Sequence, residues 1–97
     1  MMDRAARFRM STHVVTRDVA EGSLLVNVSS GATWKLNKVG TDVCQLINSG
    51  VNVSSIIAKL ARNYDVTIET LEKDIEALLG QLRENGIIQY LHASGSS

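Results

Sequence analysis

The side chains that could support covalent or metal chemistry are few in this sequence of 97 residues. Cys44 is the only cysteine, and nucleophilic catalysis would require a base within hydrogen-bond reach of its thiol. It borders the apolar stripe of a predicted helix, which favours a buried structural cysteine. His13 and His92 lie near opposite ends of the chain, and neither has a second ligand at metal-binding spacing. The sequence therefore predicts no enzyme, no metal site and no cofactor.

A different kind of chemistry, hydrogen bonding by an unpaired strand, is predicted within residues 32–40, ATWKLNKVG. Trp34 and Leu36 fall on one face of this segment, the period of a half-buried strand. Asn37 then favours the start of a helix, because its side chain can accept from the free N–H groups of the first turn. We expect this strand to form an open sheet edge, which an extended peptide could join through backbone hydrogen bonds.

Composition narrows the class of protein. The formal net charge is zero, so strong attraction to nucleic acid or to an anionic membrane is not expected. No apolar run approaches the roughly 18 residues of a membrane-spanning helix, and no apolar segment follows the basic N-terminus as in a signal peptide. A lone cysteine fits a reducing compartment. These features predict a cytoplasmic protein without a membrane or nucleic-acid partner.

Domain boundaries are predicted from the ends of the chain. Residues 1–10 contain three arginines and are predicted to form a flexible arm, since chain termini fray unless they are tied down. Residues 92–97 are short and polar, and we expect a disordered tail there. The remaining residues, 11–91, give one domain with a single small core.

Three strands are predicted in the first part of this domain, because β-branched residues and glycine-containing turns alternate there. Their predicted ranges are Thr12–Arg17, Leu24–Ser29 and Ala32–Leu36. Leu24, Val26 and Val28 share one face of the second strand. The turns at Glu21–Gly22 and Ser30–Gly31 are short, which indicates an antiparallel meander.

Three amphipathic helices follow. They are predicted at Lys38–Asn48, Val53–Asn63 and Ile68–Glu84, with Asn37, Asn52 and Thr67 as N-caps. The predicted buried stripe of the third helix is Ile68, Leu71, Ile75, Leu78, Leu79 and Leu82. The apolar run Ile87–Leu91 is expected to cover the core. The predicted fold class is α+β and winged helix-turn-helix-like, with a three-stranded antiparallel sheet followed by three helices.

A winged-helix regulator that binds DNA is one possible function of such a fold. Its third helix would enter the major groove and would need positive charge to meet the phosphates. Residues 67–85 instead contain five acidic residues and two basic ones: Glu69, Glu72, Asp74, Glu76 and Glu84 against Lys73 and Arg83. This charge pattern ranks peptide binding at a strand edge above DNA binding.

The order of short motifs gives the sequence a family resemblance. The motifs are W-x-L-N-x-x-G from Trp34, V-x-x-L-I-x-x-G from Val43, I-x-x-L-A-x-x-Y-x-V from Ile57 and D-I-x-x-L-L-x-x-L-x-x-x-G-I-I from Asp74. No single motif is specific, but their order and spacing over residues 31–88 resemble the PqqD family. The residues before Gly31, which include the first predicted strand, depart from that family's pattern.

The resemblance implies a RiPP recognition element, a domain that binds the leader segment of a ribosomally synthesised precursor peptide. In this family the leader is expected to add antiparallel to the third strand and to lie against the third helix. The phrase ATWKLNKVGTDV is similar to stand-alone proteins of lasso-peptide pathways. The partners then implied are a precursor leader peptide, a cysteine-protease-like leader peptidase and an ATP-dependent macrocyclase. The alternative is a PqqD-type chaperone that presents a precursor to a radical-SAM enzyme.

Carried over by position, the resemblance implies peptide-binding residues on the third strand and the third helix. The strand residues are Thr33, Trp34, Lys35 and Leu36, and the helix residues are Thr70, Leu71, Asp74, Ala77, Leu78 and Gln81. Leu36, Leu71 and Leu78 could equally be plain core residues. Trp34 could belong to the core or to a pocket wall, and Asp74 could be a solvated helix residue or a partner for a leader side chain.

Overall fold

The fold comes from a computed structural model of the chain, which describes residues 4–91. Five strands lie at Phe8–Met10 (β1), Val14–Val19 (β2), Gly22–Asn27 (β3), Thr33–Leu36 (β4) and Ile88–Tyr90 (β5), and three helices at Lys38–Asn48 (α1), Val53–Asn63 (α2) and Ile68–Glu84 (α3). The three helices have the predicted bounds. The predicted α+β class, with a three-stranded antiparallel sheet followed by three helices, is confirmed.

Side-chain caps start all three helices, as predicted. The Asn37 side chain accepts from the Gly40 N–H at 2.8 Å, and the Asn52 side chain accepts from the Ser55 N–H at 2.9 Å. Thr67 Oγ1 likewise accepts from the Thr70 N–H at 3.2 Å. Each cap satisfies one of the backbone donors that the first turn leaves without a partner in the helix. None of the helices within residues 4–91 is both long and apolar enough to cross a membrane.

The central sheet has the order β2-β3-β4 and is antiparallel throughout. The sequence predicted that Leu24, Val26 and Val28 share one face of the second strand, and it left open which face the helices cover. Leu24 and Val26 do share a face of β3, and that face is turned away from the helices, while Val28 lies just beyond the strand and is 62 % exposed. Ser23 and Leu25 point into the core instead, both fully buried. Because both faces of β3 carry apolar residues, its period alone did not indicate which face the helices cover.

The buried serine is satisfied by a neighbouring helix. Ser23 Oγ lies 2.8 Å from Thr41 Oγ1 in α1, and the Thr41 hydroxyl donates its own hydrogen to the Asn37 carbonyl at 2.9 Å. Ser23 is therefore the donor to Thr41. A buried hydroxyl without a hydrogen-bond partner would lower the stability of the fold. This hydrogen bond therefore stabilises the packing of α1 against β3.

The N-terminal segment differs most from its prediction as a flexible arm. Phe8 is buried and its ring stacks on Tyr90 with centroids 4.7 Å apart. β1 pairs with β5 in a second, two-stranded sheet. The carbonyls of Arg4 and Ala6 also accept from backbone N–H groups in the first turn of α2. A three-residue strand is too short to show a period, so the arginines around Phe8 dominated the prediction. Residues 1–3 and the predicted tail at 92–97 lie outside the described residues.

The core is formed by the inner face of the sheet, the three helices and the segment after α3. Ile87 and Ile88 are buried, which confirms that the C-terminal apolar run covers the core. Leu71, Ile75, Leu79 and Leu82 of the predicted α3 stripe are buried as well. Ile68 was assigned to that stripe wrongly and is 54 % exposed, because it begins α3 ahead of the turn that first contacts the core.

Candidate functional site

Strand β4 forms one edge of the central sheet. Within residues 4–91 its only strand neighbour is β3, and no strand lies on its other side. The C-terminal strand β5 is the element that could most easily have covered this edge, but it pairs with β1. The described part of the chain therefore leaves the outer edge of β4 open, as the sequence predicted.

The direction of the β4 backbone groups follows from the ladder. The Asn27 N–H donates to the Ala32 carbonyl at 2.9 Å, so these two residues form a hydrogen-bonded pair. Hydrogen-bonded and non-bonded pairs alternate along an antiparallel ladder, and Leu24 is opposite Lys35 in a non-bonded position. The N–H and C=O groups of Thr33 and Lys35 therefore point away from β3. They form a short row of donors and acceptors at the open edge.

A cleft of about 550 Å³ adjoins this edge. It runs between β4, the first turn of α1 and one face of α3. Its lining is Glu21, Lys35, Leu36, Asn37, Val39, Gly40, Tyr64, Val66, Leu71, Asp74, Ile75 and Leu78. Most of these side chains are apolar, and the charged ones come from three separate elements. Such a lining suits an apolar side chain whose backbone remains beside a polar strand edge.

Two glycines allow the backbone around this cleft to pack closely. A Cβ at Gly22 would lie 1.9 Å from the Leu36 carbonyl oxygen, a distance that no side chain could tolerate. A Cβ at Gly40 would lie 3.3 Å from both Cβ and Cδ2 of Leu36. The first turn of α1 is thus packed closely against Leu36, the last residue of β4. The glycines fix where β4 ends and α1 begins.

Tyr64, the residue that follows the last residue of α2, also lines the cleft. Its hydroxyl donates to Asp42 Oδ2 in α1 at 2.5 Å. This hydrogen bond to Asp42 raises the pKa of Tyr64 to about 12, with smaller contributions from burial and from the negative charge of Asp42. The phenol therefore stays neutral and remains a donor at physiological pH. The link holds the end of α2 on α1 and positions Val66 at the cleft wall.

The ten residues implied by the resemblance divide into two groups. Lys35, Leu36, Leu71, Asp74 and Leu78 line the cleft; Thr33, Trp34, Thr70, Ala77 and Gln81 do not. Thr33 and Trp34 still belong to β4, and Thr33 contributes backbone groups to the open edge. Thr70, Ala77 and Gln81 are exposed on α3, one step around the helix beyond Asp74.

The structure distinguishes core positions from cleft positions for the four apolar residues whose place the sequence left open. Leu36 and Leu71 are 6 % and 3 % exposed and yet line the cleft, so they are core residues that also form its floor. Leu78 is half-buried at the wall of the cleft. Trp34 is half-buried and packs against the core without lining the cleft.

Sequence reasoning missed several residues of the lining. Val39 and Tyr64 lie at helix ends, Val66 lies between α2 and α3, and Ile75 belongs to the predicted buried stripe of α3. The signal that could have found Val39 and Tyr64 is their place at helix ends, because ends of several helices often meet around a cavity. For Ile75 no such signal exists, since a residue on the floor of a cleft has the same period as one in the core.

Cys44 lies in the core, as predicted, and its side chain is buried. Burial raises the pKa of its thiol to about 11, because a thiolate loses its hydration there. The thiol therefore stays protonated at neutral pH. This environment opposes the thiolate that nucleophilic or redox chemistry requires.

Comparison with known proteins gives one family and two solved structures. The sequence profile described as "Coenzyme PQQ synthesis protein D (PqqD)" matches residues 22–88. Among curated proteins, no sequence matches the chain significantly. One similar structure is described as "Lasso peptide synthetase B1 complexed with the leader peptide". It has 28 % sequence identity and a TM-score of 0.79, and the match covers 87 % of this chain and 99 % of that one.

The second structure is described as "TbiB1 in Complex with the TbiA(beta) Leader Peptide". It has 21 % sequence identity and a TM-score of 0.77, and the match covers 88 % of this chain and 99 % of that one. At this identity the likeness concerns the fold alone. The family match begins at Gly22, the first residue of β3, and includes β4 and the three helices. It therefore contains every residue of the cleft except Glu21.

Proposed function

Because this chain belongs to the PqqD family, we propose that it binds the leader segment of a ribosomally synthesised precursor peptide, without catalysing a reaction itself. The observation that carries the proposal is the open edge of β4 beside an apolar cleft. Two proteins of similar fold are described as complexes with leader peptides, and one of them shares 28 % sequence identity with this chain. These findings support leader recognition in a lasso-peptide pathway.

In the proposed mechanism the leader adds to the sheet as a fourth strand. The outward N–H and C=O groups of Thr33 and Lys35 exchange hydrogen bonds with the leader backbone. Alternate leader side chains then point to opposite faces of the sheet. Those on the helix side enter the cleft between β4 and α3, where Leu71 and Leu78 contact them. Backbone bonds supply affinity that is independent of sequence, and the cleft supplies selection.

Asp74 is proposed to contact a polar or basic atom of the leader at the rim of the cleft. Its side chain is exposed on α3 and lines the cleft. Within residues 4–91 no ion pair engages Asp74, so the carboxylate is available to a ligand. Thr70, Ala77 and Gln81 continue the same side of α3, and we propose that they contact a leader that extends beyond the cleft.

The further step is delivery of the bound precursor to processing enzymes. We propose that these are a cysteine-protease-like leader peptidase and an ATP-dependent macrocyclase, as in lasso-peptide pathways. The alternative partner is a radical-SAM enzyme, which the family description as a coenzyme PQQ synthesis protein favours. Neighbouring genes distinguish the two pathways: a precursor with peptidase and asparagine-synthetase-like genes indicates the first, and a radical-SAM gene the second.

Peptide capture tests the binding function directly. The immobilised protein is offered a phage-displayed library of random linear peptides, and recovered peptides are titrated by fluorescence anisotropy. Hydrogen exchange, followed by NMR, then reports which backbone amides the peptide protects. We expect the N–H groups of Thr33 and Lys35 to become protected, because the added strand accepts from both. If no peptide is enriched, or if both amides exchange as in the free protein, strand addition at β4 is wrong.

A further inference from the structure

Two cationic side chains lie on the outer face of the sheet, in line with the open edge. Arg17 is the cross-strand partner of Leu24, and Leu24 is the partner of Lys35. Side chains that are directly opposite each other in a ladder share a face. Arg17, Leu24 and Lys35 therefore form one row across β2, β3 and β4. We call this row the basic row, and it ends at the edge that a peptide would join.

The charges of the basic row are not neutralised within the described chain. Across residues 4–91 no ion pair engages Arg17 or Lys35, and both side chains are exposed. Glu21 shares a surface depression and the cleft with Lys35, and Asp74 shares the cleft with it, but neither carboxylate comes within ion-pair distance of the Lys35 ammonium. Leu24 is half-buried between the two cations. The sheet thus presents an unmatched positive charge at its open edge.

The opposite side of the same edge has a different character. Leu36, next to Lys35 in β4, points to the helix side and forms the floor of the apolar cleft. Successive residues of an added strand alternate between these two environments. The residue opposite Lys35 lies on the outer face beside the basic row, and the residue opposite Leu36 lies at the cleft. This holds for either direction of the added strand.

We propose that the peptide this protein selects carries an aspartate or glutamate opposite Lys35, adjacent in sequence to the apolar residue that enters the cleft. The inference rests on the proposed strand addition and names the chemistry of its ligand. The carboxylate of that residue lies across the strand from the Lys35 ammonium and completes the basic row. The dipeptide of one apolar and one acidic residue is thus the recognised unit.

Charge reversal at Lys35 tests this inference. The library of random peptides is selected in parallel on the wild-type protein and on Lys35→Glu. Lys59→Glu is the matched control, because it makes the same charge change on an exposed residue of α2 away from the sheet. We expect apolar–acidic pairs to be enriched on the wild type and on Lys59→Glu, and apolar–basic pairs on Lys35→Glu.

A matched pair of synthetic peptides then gives the magnitude. The best wild-type peptide is made with its glutamate or aspartate and again with lysine at that position, and both are titrated by fluorescence anisotropy. The wild type should prefer the acidic peptide by about fivefold at low salt, and Lys35→Glu should reverse this preference. Added salt should reduce both preferences, because exposed charges are screened.

The outcomes separate this inference from the function on which it rests. Peptides that bind the wild type and protect the β4 amides, but show no acidic preference or no reversal on Lys35→Glu, would overturn the inference and leave strand addition in place. Reversal on Lys59→Glu would also overturn it, since only overall charge would then matter. Failure to enrich any peptide would contradict both this inference and the proposed strand addition.

Discussion

The central sheet has two edges that differ in what lies beside them. At one edge, β2 directs the backbone groups of Thr16 and Asp18 outward, because the Val28 N–H donates to the His13 carbonyl and fixes the alternation. At the other, β4 directs those of Thr33 and Lys35 outward. The two edges therefore present a similar number of outward backbone N–H and C=O groups. Five of the six β2 residues are exposed, however, whereas β4 adjoins the apolar cleft against α3.

An unpaired row of backbone groups is therefore only one part of the proposed peptide site, and the adjoining cleft is the other. Open edges are a general hazard, and proteins protect them with charged residues and short strands. Arg17 and Asp18 give β2 this protection. β4 differs because, in the proposed mechanism, the cleft beside it buries an apolar side chain of the added peptide. We expect the two edges to respond differently to equivalent substitutions.

Closing the cleft should have the largest effect. Leu78→Glu places a charge at the cleft wall on a half-buried position of α3, and glutamate is a good helix former. The apolar leader side chain loses burial of about 1.5–3 kcal/mol, which corresponds to roughly ten- to hundredfold weaker binding. Anisotropy titration of a peptide selected on the wild type measures the change.

The matched control for this substitution is Val15→Glu on β2. Val15 is an exposed apolar residue on the outer face of the sheet, away from the cleft. Its replacement adds the same charge to the protein and should leave affinity within twofold or so, as expected for surface changes of about 0.5 kcal/mol or less. Equal losses in both variants would contradict the role of the cleft.

Proline on the two edges tests the backbone groups. Lys35→Pro removes an outward N–H of β4 without breaking the bonds to β3, since proline is tolerated where the N–H faces solvent. It also removes the charge of Lys35. Loss of one hydrogen bond and the clash of the ring with the added strand should weaken binding roughly tenfold. Thermal unfolding of Lys35→Pro, and of the matching β2 variant Thr16→Pro, checks that both proteins remain folded.

Thr16→Pro makes the equivalent change on β2, where the Thr16 N–H also faces outward. We expect peptide affinity to remain at the wild-type level, because the ligand does not join this edge. Lys35→Gln separates the charge from the backbone group and should lose less affinity than Lys35→Pro. If Thr16→Pro weakened binding as much as Lys35→Pro, the peptide would bind the β2 edge as well as the β4 edge, and the proposed difference between the two edges would be wrong.

Removing the carboxylate at the cleft rim should have a smaller effect. Asp74→Ala eliminates an exposed charge that lines the cleft, and exposed interactions of this kind contribute about 0.2–1 kcal/mol. Affinity should fall by about two- to fivefold, with the fold intact. Glu84→Ala, at the last residue of α3, removes the same charge away from the cleft. Identical affinities for these two variants would exclude Asp74 from the site.

The weakest effect concerns the hydrogen bond between Tyr64 and Asp42. Because the pKa of Tyr64 is raised to about 12 from an ordinary value of 10, the folded state favours the neutral phenol. Its contribution to stability is present below pH 10 and is lost as the pH rises towards 12. The difference in unfolding free energy between wild type and Tyr64→Phe should therefore shrink over that range.

The tyrosinate absorbance gives an independent check of the same link. Subtracting the alkaline titration of Tyr64→Phe from that of the wild type isolates the Tyr64 signal. We expect its midpoint near pH 12. A midpoint at the ordinary value of 10 would mean that the Asp42 hydrogen bond does not persist in solution, and that Tyr64 does not hold α2 on α1.

Much of the fold could be predicted because its signals are local. The helices at Lys38–Asn48, Val53–Asn63 and Ile68–Glu84 each combine an N-cap with a stripe of period 3.6, and both features lie within the segment itself. The resemblance to the PqqD family indicated the edge strand and the helix beside it. Five of the ten implied site residues line the cleft, and their role in binding stays a prediction.

The rest could not be predicted, because it depends on contacts between distant segments. Phe8 looked like part of a basic arm until β5, some eighty residues later, provided its partner strand. Ile75 and Leu71 have the same period as any core residue, and only the gap between α3 and β4 turns them into the floor of a cleft. A sequence period gives the face of an element but not what lies opposite that face.

The three helices, their caps and the strand at Thr33–Leu36 could be predicted from residues alone, since each depends on neighbours a few residues away. Two features became visible only in the folded chain: β5 pairs with β1, and Leu25 rather than Leu24 faces the core. The physical reason is that strand pairing and the choice of buried face are properties of the partner as well as of the strand.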